Sequence, residues 1–425
     1  MRYSPLINKN TPNSWKNRDL NELTTYISRG KQPKYVEKSD ILVLNQKSVR
    51  WNYLERKYLK YHNPEIAVPE RHYIKKQDVV INSTGVGTVG RAYYFKNVEQ
   101  RMFADSHVTI VRTDDSKLIS EYLYYQISDK RFQNYINNSL LAGSTGQVEL
   151  NKSKVEKMAM LVPDLLYQKN VVTILSSLDS KIELNNQMID TLEEMASALF
   201  KRWFVDFEFP DENGNPYKSS GGKMVDSELG EIPEGWEIKR IKSIVTITRG
   251  ASPRPIKDFI HNEGRPWIKI SDANATFSPY IYGTKEFIKE EGVSKSRTVE
   301  SDTLILSNSA TPGIPKIVKM LSSVHDGWLI FDSFNELSKE FLYLFLIEYK
   351  KDILSLSNGS VFRNLKTDIL KEFPIILPQK EEFEKFQLIV VDLFSNINTL
   401  ALEVLALESL RDALIPKLLS GELEV

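Results

Sequence analysis

The amino-acid sequence predicts an α+β protein in which two similar domains are separated by two long helices. Three observations lead to this fold class. One layout of residues occurs twice, each copy ends in a long apolar run at heptad spacing, and basic segments alternate with acidic ones. The chain has 425 residues, enough for two or more domains with cores of their own. We therefore expect a pseudo-two-fold internal repeat whose two helices form an antiparallel coiled coil.

The repeat is visible as equivalent residues in the same order in both halves of the chain. The first copy contains Trp15 and Arg29-Gly30, and the second contains Trp236 and Arg249-Gly250. Further pairs follow at varying offsets, as expected of diverged copies with loop insertions: Asp78–Ser83 with Asp302–Ser307, Glu121–Tyr124 with Glu340–Tyr343, Gly143-Ser144 with Gly359-Ser360, and Val162-Pro163 with Leu377-Pro378. Two copies of this length indicate a duplicated module and not a solenoid.

The two domains are predicted at residues 1–163 and 236–378. Both contain short β-rich runs such as Asp78–Asn82 and Thr303–Leu306, which are separated by Gly, Ser and Asn turns, with short helical stretches between them. The whole chain has no net charge, but the first domain carries 26 basic against 16 acidic residues and the second carries 20 against 17. Such charge asymmetry between segments is a weak indication of contact with nucleic acid.

Two spacer helices are predicted at residues 164–209 and 379–425. A linker loop at residues 210–235, rich in Gly, Pro, Asp and Ser, is predicted between the first helix and the second domain. In each helix, apolar residues alternate spacings of three and four over more than four heptads, which is typical of a coiled-coil seam. The seam is predicted to contain Val171, Leu175, Leu178, Ile182, Asn185, Ile189, Leu192 and Leu199 in the first helix and Val390, Leu393, Ile397, Leu400, Val404, Leu407 and Leu414 in the second. Packing as two core helices of a larger bundle is the alternative. Asn185 would fix the register at some cost in stability.

A glycine-rich segment, Gly85-Val86-Gly87-Thr88-Val89-Gly90, follows a predicted strand and matches the dinucleotide-binding fingerprint. That function requires a helix to begin there, so that its amides meet a pyrophosphate, but Arg91–Phe95 is β-like. A plain tight turn is one alternative. A turn that faces a phosphate backbone, with Ser83, Thr84 and Arg91 beside it, is the other.

The sequence contains no convincing catalytic motif. It has no cysteine, which excludes disulfides, thiol catalysis and cysteine-bound zinc. The five histidines have no metal-ligand spacing, and no P-loop is present. The amino terminus has no apolar run typical of a signal peptide, and no uninterrupted apolar stretch reaches the roughly 18 residues of a membrane span. We predict a soluble, cytoplasmic protein that is not an enzyme.

The order of these features resembles the specificity subunit of a type I restriction-modification enzyme over the full chain. Each recognition domain of that family opens with a Trp and an Arg-Gly and closes with a Gly-Ser turn and a hydrophobic-Pro boundary. The segments Leu178–Asn185 and Leu199–Phe207 are similar to the family's central spacer, and Pro416–Leu423 is similar to its carboxyl end. Two departures are a pair of acids, Glu381-Glu382, where the family has Glu-Gln, and a second turn, Ser307–Gly313, that has lost most of its glycines.

The resemblance implies a subunit that reads a bipartite, non-palindromic DNA site and neither cuts nor methylates it. Its partners would be double-stranded DNA, two methyltransferase subunits and restriction/translocase subunits. S-adenosylmethionine, ATP and Mg²⁺ would bind to those partners, and this chain would bind no cofactor and no metal. The alternatives are a coiled-coil adaptor without a DNA role and a dinucleotide-binding oxidoreductase.

The candidate site residues follow from the same resemblance and from the basic and glycine-rich turns. Those predicted to contact DNA are Arg29, Gly30, Lys31, Ser83, Thr84, Gly85, Gly87, Arg91, Ser144 and Thr145 in the first domain, and Arg249, Gly250, Ser307, Asn308, Ser309, Ser360 and Arg363 in the second. A surplus of aromatic residues at the end of the first helix, Phe200, Trp203, Phe204 and Phe207, is predicted to bind a partner protein. Packing against the chain's own domains is the alternative for these aromatics.

Overall fold

The computed structural model describes residues 3–141, 149–356 and 364–425. They form two compact units: unit 1 comprises residues 1–182 and 406–425, and unit 2 comprises residues 183–405. Each unit combines β-sheets and short helices with segments of two long helices. The fold is therefore mixed α and β with two β-rich domains.

The described part of unit 1 contains three sheets. Its strands are β1 (Lys16–Asp19), β2 (Thr24–Arg29), β3 (Tyr35–Val36), β4 (Leu42–Leu44), β5 (Lys60–His62), β6 (Val79–Asn82), β7 (Ala92–Tyr94), β8 (Met102–Ala104), β9 (Val108–Thr113) and β10 (Ala159–Val162). The orders are β2-β9-β6-β7, β3-β5-β4-β8 and β1-β10, antiparallel except for the pair β4 and β8. The helices are α1 (Ser120–Ser128), α2 (Lys130–Tyr135), α3 (Lys152–Glu156) and the first part of α4 (Leu165–Phe204).

Strand β6 lies at the centre of unit 1 because both of its faces are apolar. Successive side chains of a strand point to opposite faces, and Val79, Val80 and Ile81 are all fully buried. Val79 and Ile81 pack in the same cluster as Tyr122 of α1, whereas Val80 packs in the cluster that contains Leu44 of the second sheet. The β6 sheet is thus covered by helices on one face and by the other sheet on the opposite face.

Unit 2 contains four sheets among its described residues. Its strands are β11 (Met224–Ser227), β12 (Gly230–Pro233), β13 (Glu237–Arg240), β14 (Thr246–Arg249), β15 (Ile260–His261), β16 (Arg265–Ile268), β17 (Tyr280–Ile281), β18 (Glu286–Ile288), β19 (Arg297–Val299), β20 (Leu304–Ser307), β21 (Pro315–Val318), β22 (Ser322–Val324), β23 (Trp328–Asp332) and β24 (Pro374–Leu377). The orders are β14-β23-β20-β21-β17, β15-β18-β16-β22-β19, β13-β24 and β11-β12. The helices are α5 (Ile241–Ile244), α6 (Ile270–Ala273), α7 (Glu290–Val293), α8 (Lys339–Glu348), α9 (Lys350–Ser355), α10 (Thr367–Lys371) and α11 (Lys380–Ser420), of which the last ends in unit 1.

The two units repeat the same strand pairings. The order β2-β9-β6-β7 has its equivalent in β14-β23-β20-β21, and β3-β5-β4-β8 has its equivalent in β15-β18-β16-β22. The parallel pair of unit 1, β4 with β8, has its equivalent in β16 with β22. Unit 2 adds one edge strand to each large sheet, β17 and β19. The duplication in the sequence is therefore a duplication of topology.

The register of this repeat corrects one alignment of the sequence analysis by one residue. The sequence pairs Asp78 with Asp302, but the residue with a positive φ before the strand is Gln77 (71°) in unit 1 and Asp302 (69°) in unit 2. Each donates its backbone N–H across the sheet to the equivalent position, Phe95 in unit 1 and Val318 in unit 2. The correction matters because a shift of one residue in a strand moves every side chain to the opposite face.

The predicted linker loop is also corrected, because part of it is a β-hairpin. Residues 224–233 form β11 and β12, which pair antiparallel. Before the hairpin, the ring of Phe209 stacks on Tyr217 with centroids 4.5 Å apart and on Trp236 at 5.0 Å. Burial of these rings holds a segment whose Gly and Pro content alone suggests an irregular loop.

The long helices are continuous, and their predicted seam residues face protein. In unit 1, Tyr167 donates a hydrogen bond to the Leu418 carbonyl, and in unit 2 the ring of Trp203 packs on Phe386. The buried seam residues are Val171, Leu175, Ile182, Asn185, Ile189, Val390, Ile397 and Val404, and the half-buried ones are Leu178, Leu192, Leu199, Leu393, Leu400, Leu407 and Leu414. None of the predicted seam is exposed.

Each unit also contains a polar contact between side chains of α4 and α11. In unit 1 Arg411 donates to the carboxylate of Asp179, with Nη1 and Oδ1 2.9 Å apart. In unit 2 the Asn185 amide donates to Oε2 of Glu403, also at 2.9 Å. Together with the apolar contacts, these pairs show that the segments of α4 and α11 run antiparallel within each unit.

In the part of the chain that the structure describes, α11 alone is long and apolar enough to cross a membrane by length and composition. This is a weak indication, because a core helix of a soluble protein meets the same criterion. The inward residues Phe386, Val390 and Ile397 are fully buried in unit 2, as expected of a core helix.

Candidate nucleic-acid interface

In unit 1, turns at the ends of several strands converge, and hydrogen bonds join them. The carboxamide of Asn82 donates to the Gln46 carbonyl at 3.0 Å, and the backbone N–H of Ser83 donates to the His107 carbonyl at 2.8 Å. The segments involved are residues 30–34 after β2, 45–48 after β4, 83–91 after β6, and 105–107 between β8 and β9. Loops fixed on a rigid sheet are a common place for binding residues.

The repeated Arg-Gly is a close crossing of two backbones. A Cβ on Gly30 would lie 1.8 Å from the Ala104 carbonyl oxygen, and a Cβ on Gly250 would lie 2.1 Å from that of His325. The N–H of each glycine donates to the first residue of the adjacent strand, Val108 for Gly30. Only glycine fits such an approach. Packing therefore explains why these glycines are repeated, and their contact with DNA stays a prediction.

Three predicted DNA-contacting side chains are buried. The exposed fraction is 0% for Ser83 and Ser307 and 3% for Asn308. The Ser83 hydroxyl lies 2.6 Å from that of Thr109, and the Ser307 hydroxyl accepts the backbone N–H of Ile314 at 2.8 Å. The two hydroxyls are hydrogen-bonded within the fold and all three side chains are buried, so their assignment to a DNA surface is corrected.

The glycine-rich segment is the turn of a hairpin. It joins β6 to β7, so no helix begins at Gly90 and the dinucleotide interpretation is excluded by the local structure. Gly90 has its equivalent in Gly313: both have a φ near 80°, and each donates its N–H to the strand that precedes the turn. Thr84 and Gly85 lie half-buried in this turn and Gly87 is exposed, and Ser309 is half-buried in the equivalent turn of unit 2.

The predicted cations of unit 1 differ in what they contact. Arg29 forms an ion pair with Glu149, with Nη2 and Oε1 2.7 Å apart, so its charge is already balanced. Arg91 is half-buried, and both burial and the nearby Arg50 lower the pKa of its guanidinium. Lys31 is exposed. Of these cations, Lys31 is the one most open to a phosphate.

The equivalent corner of unit 2 carries a charged network. Asp326 accepts from Ser252 Oγ at 2.7 Å and lies 3.5 Å from Arg254. Its backbone carbonyl accepts Arg249 Nε at 2.7 Å. Burial acts to raise the pKa of Asp326, but the Ser252 hydrogen bond and nearby charges, including Arg249, outweigh it and lower the pKa. The side chains of Arg249 and Arg254 are 59% and 80% exposed, so this corner presents two guanidinium groups to solvent.

Four further predicted residues lie outside the described residues: Ser144, Thr145, Ser360 and Arg363.

The structure brings residues to this surface that the sequence analysis did not select. In unit 1 they are Gln46 and His107, and in unit 2 they are Arg254 and Asp326. They lie in turns whose sequences show no periodicity. The one signal for these residues is that their turns lie next to the repeated strands. That signal can be used only once the pairing of the strands is known.

Comparison with known proteins identifies the family. A model described as the type I restriction modification DNA specificity domain matches residues 12–194 and 233–407, which is most of the chain and both copies of the repeat.

The chain belongs to the family of type I restriction-modification specificity subunits.

Named relatives and a solved structure agree with this assignment. The chain is 28% identical over 315 residues to the type I restriction enzyme MjaIX specificity subunit of Methanocaldococcus jannaschii, covering 72% of this chain and 70% of the relative. It is 25% identical over 406 residues to the HindI specificity subunit of Haemophilus influenzae, covering 82% and 87%. The crystal structure of the type I S subunit from M. genitalium shares the fold with a TM-score of 0.56 at 14% identity, covering 98% of both chains. Specificity subunits are non-catalytic, so this chain is not an enzyme.

The aromatic residues assigned to a partner interface are buried within the specificity subunit itself. Phe200, Trp203, Phe204 and Phe207 have exposed fractions between 1% and 7%, and all four belong to the core of unit 2. The ring of Phe204 packs edge-on against Phe386 with centroids 4.6 Å apart. The prediction of a partner surface at these residues is therefore corrected. A surplus of aromatics at the end of a helix closes the core of the adjoining domain.

Proposed function

We propose that this specificity subunit reads a bipartite, non-palindromic DNA site, with one half-site read by each β-rich domain, and positions methyltransferase and restriction subunits on that DNA. The observation that carries the proposal is a repeated strand topology with different residues at the equivalent corners. Identical strand pairings support two similar modes of docking, and different corner residues support two different half-sites.

The residues at the two corners differ in chemistry. The corner of unit 1 presents the hydrogen-bonding side chains of Gln46 and His107, and that of unit 2 presents Arg249 and Arg254 around Asp326. A guanidinium is suited to guanine, which has two acceptors in the major groove, whereas a carboxamide is suited to adenine. The difference in side chains favours half-sites of different base composition.

We propose further that α4 and α11 form an antiparallel coiled coil that sets the spacing between the half-sites. The proposal is supported by the heptad spacing, by the absence of exposed residues in the predicted seam, and by antiparallel contacts within each unit. At about 1.5 Å per residue, the 40 residues of α4 have a length of roughly 60 Å, which exceeds the separation of half-sites one DNA turn apart, about 34–36 Å.

Two methyltransferase subunits and restriction subunits are the proposed protein partners, in the cytoplasm. In this scheme S-adenosylmethionine, ATP and Mg²⁺ bind to the partners and not to this chain. With the aromatic cluster buried, the outer faces of the long helices are the better candidate for docking. In unit 2 they expose apolar side chains on both helices: Leu184, Met188 and Met195 on α4, and Leu388, Ile389, Val391, Leu402 and Leu405 on α11. Exposed apolar residues in such number are typical of protein interfaces.

A domain exchange tests the proposed function. The full chain, purified with its methyltransferase subunit, is expected to shift a DNA duplex that contains its site and to methylate adenine there. Replacing residues 1–163 with the equivalent domain of a relative is expected to change one half-site and leave the other intact, and replacing residues 236–378 is expected to do the reverse. Mapping of methylated adenines gives both results. A change in both half-sites after either exchange would contradict the one-domain, one-half-site proposal, and the absence of any duplex binding would favour a protein adaptor.

A further inference from the structure

The side chains of Gln46, Thr84 and His107 form a chain of hydrogen bonds in unit 1, which we name the Gln-Thr-His triad. The hydroxyl of Thr84 lies 2.7 Å from Oε1 of Gln46 and 2.9 Å from Nδ1 of His107. The three residues come from three different turns, after β4, after β6 and before β9. Their side chains are half-buried for Gln46 and Thr84 and exposed for His107.

The backbone around the triad is fixed. The Gln46 carbonyl accepts from the Asn82 carboxamide, and the His107 N–H donates to Oδ1 of Asp105 at 2.8 Å. Next to Thr84, Gly85 leaves room for the carboxamide, because a Cβ there would lie 2.8 Å from Oε1 of Gln46. The side chains are therefore presented by a preorganised surface, which is a condition for discrimination between bases.

The single proton of the Thr84 hydroxyl couples the other two groups. If the hydroxyl donates to Gln46 Oε1, it must accept from His107 Nδ1–H. In the neutral imidazole Nε2 is then an acceptor, and the carboxamide NH₂ points away as a donor. If the carboxamide is turned over, its NH₂ donates to Thr84 and the hydroxyl donates to Nδ1. The outward groups are then a carbonyl acceptor and an Nε2–H donor.

In both arrangements the outward edge of the triad offers one donor and one acceptor. Within the described residues, neither Nε2 of Gln46 nor Nε2 of His107 has a hydrogen-bond partner. Adenine presents an N6 donor beside an N7 acceptor in the major groove, whereas guanine presents two acceptors, N7 and O6. Both the donor and the acceptor of the triad can form a hydrogen bond with the adenine edge. With the guanine edge only the donor can do so, because the acceptor of the triad would face an acceptor of the base.

An exposed apolar side chain lies next to the triad. Val86, two residues after Thr84, is 80% exposed at the tip of the turn and stands between two glycines. The C5-methyl group of thymine is the apolar feature of the major groove, and aliphatic side chains contact it. Exposed cations flank the polar groups, since Lys47 follows Gln46 directly and Lys31 lies in the turn after β2. Phosphate binding by these lysines would hold the surface in the groove.

We propose that the Gln-Thr-His triad reads the N6/N7 edge of adenine in an A·T pair of the half-site bound by unit 1, and that it discriminates against the N7/O6 edge of guanine through the shared proton of Thr84. The proposal rests on the proposed function, because it requires that unit 1 binds DNA in the major groove. It assigns the discrimination to the hydrogen-bonded chain and the affinity to the neighbouring lysines.

The test is selection from a library of randomised duplexes by the full chain in complex with its methyltransferase subunit. Thr84→Val has nearly the same shape but removes the proton, so the carboxamide and the imidazole become independent. We expect it to lower the preference for A·T over G·C by tenfold or more at one position of one half-site, with every other position unchanged. Thr84→Ser keeps the hydroxyl and is expected to retain the preference.

The controls separate this proposal from the proposed function. Lys47→Gln is expected to weaken binding to all sequences alike and to lower the slope of log affinity against log salt by about one unit. Retained preferences at the other positions of the half-site bound by unit 1 show that this unit is folded in each variant. If the wild-type complex selects a site but Thr84→Val retains every preference within twofold, or relaxes a G·C position instead, the triad does not read A·T. If the wild-type complex selects no sequence, the proposed function itself fails.

Discussion

The ion pair between Arg411 and Asp179 provides a sharp test of how α4 and α11 are held together in unit 1. Arg411 lies between Leu407 and Leu414 in the heptad pattern, at a position that is otherwise apolar, and its side chain is 12% exposed. Asp179 is 15% exposed and also accepts the hydroxyl of Tyr125 at 2.7 Å. Arg411 also forms an ion pair with the more exposed Asp412, with Nη2 and Oδ1 2.9 Å apart. Burial lowers the pKa of the Arg411 guanidinium, but the hydrogen bonds and charges of Asp179 and Asp412 outweigh this and raise it.

Replacement of Arg411 by Met removes the cation but keeps the length of the side chain. Asp179 is then left nearly buried, with the neutral Tyr125 hydroxyl as its remaining partner among the contacts described above. Breaking a buried pair in this way costs about 3–5 kcal/mol because an uncompensated charge stays behind. Since both side chains retain some contact with solvent, we expect the lower end, about 3 kcal/mol. Adding Asp179→Asn removes the stranded charge, and the double variant is expected to regain most of that loss.

Hydrogen exchange measured on peptides is the suitable assay, because it reports stability locally. If the free energy of local opening falls by about 3 kcal/mol, amide hydrogen exchange becomes about 100-fold faster, since about 1.4 kcal/mol corresponds to a factor of ten. The acceleration is expected in residues 165–182 and 406–420. Arg18→Met is the matched control in the same unit, because the pair of Arg18 with Glu22 is exposed and contributes less than about 1 kcal/mol. Exchange unchanged by Arg411→Met, or a double variant as unstable as the single one, would refute the assignment of the effect to a stranded charge.

Three further predictions follow from other contacts. Gly250→Ala is expected to cost about 1–3 kcal/mol of unfolding free energy, because the added Cβ meets a carbonyl oxygen, whereas Gly283→Ala, with nothing within 4 Å of its Cβ, is expected to be neutral in the same thermal scan. Burial raises the pKa of Glu193 from 4.5 to about 7, and the Tyr343 hydroxyl, which donates to it, opposes this. Between these two pH values the folded chain therefore holds a proton that the unfolded chain has released, so the free energy of unfolding falls as pH rises from about 4.5 to about 7. Urea titrations at several pH values should show that Glu193→Gln reduces this fall by about 2 kcal/mol. Insertion of seven residues into the middle of α4 adds about 10 Å of helix and nearly keeps the heptad phase. Methylation mapping should then show a gap between the half-sites that is longer by up to about three base pairs, with both half-sites unchanged. An unaltered gap in an active complex would show that the length of α4 does not set the spacing of the half-sites.

The sequence identifies the parts of this protein whose signals are periodic or repeated. Heptad spacing at Val171 to Leu199 and again at Val390 to Leu414 predicts two long helices, since a strict apolar stripe has few other structural explanations. Duplication predicts two similar domains, and the repeated Arg-Gly marks equivalent positions in both. These signals are local, because spacing along the chain is enough to detect them.

Spacing along the chain does not explain positions whose role depends on contacts with residues that are remote in the sequence. The sequence shows that the Arg-Gly is repeated, but the carbonyl that makes Gly30 necessary belongs to Ala104, in another strand. The aromatic residues around Phe204 are predicted to bind a partner because no contact within their own helix explains them. In the structure Trp236 and Phe386, which are remote in the sequence, pack against Phe204.

The Gln-Thr-His triad shows most clearly the difference between what the sequence and what the tertiary structure determine. Gln46, Thr84 and His107 are separated by 38 and 23 residues, and no pattern in the sequence joins them. Strand pairing brings their turns together: β6 lies beside β9, and β4 lies beside β8, which leads directly into the turn of His107. Periodicity reveals which segments form helices and strands, because it reflects burial of one face. A binding surface is assembled from the ends of those elements, where burial imposes no period, so the paired sheets alone decide which side chains meet there.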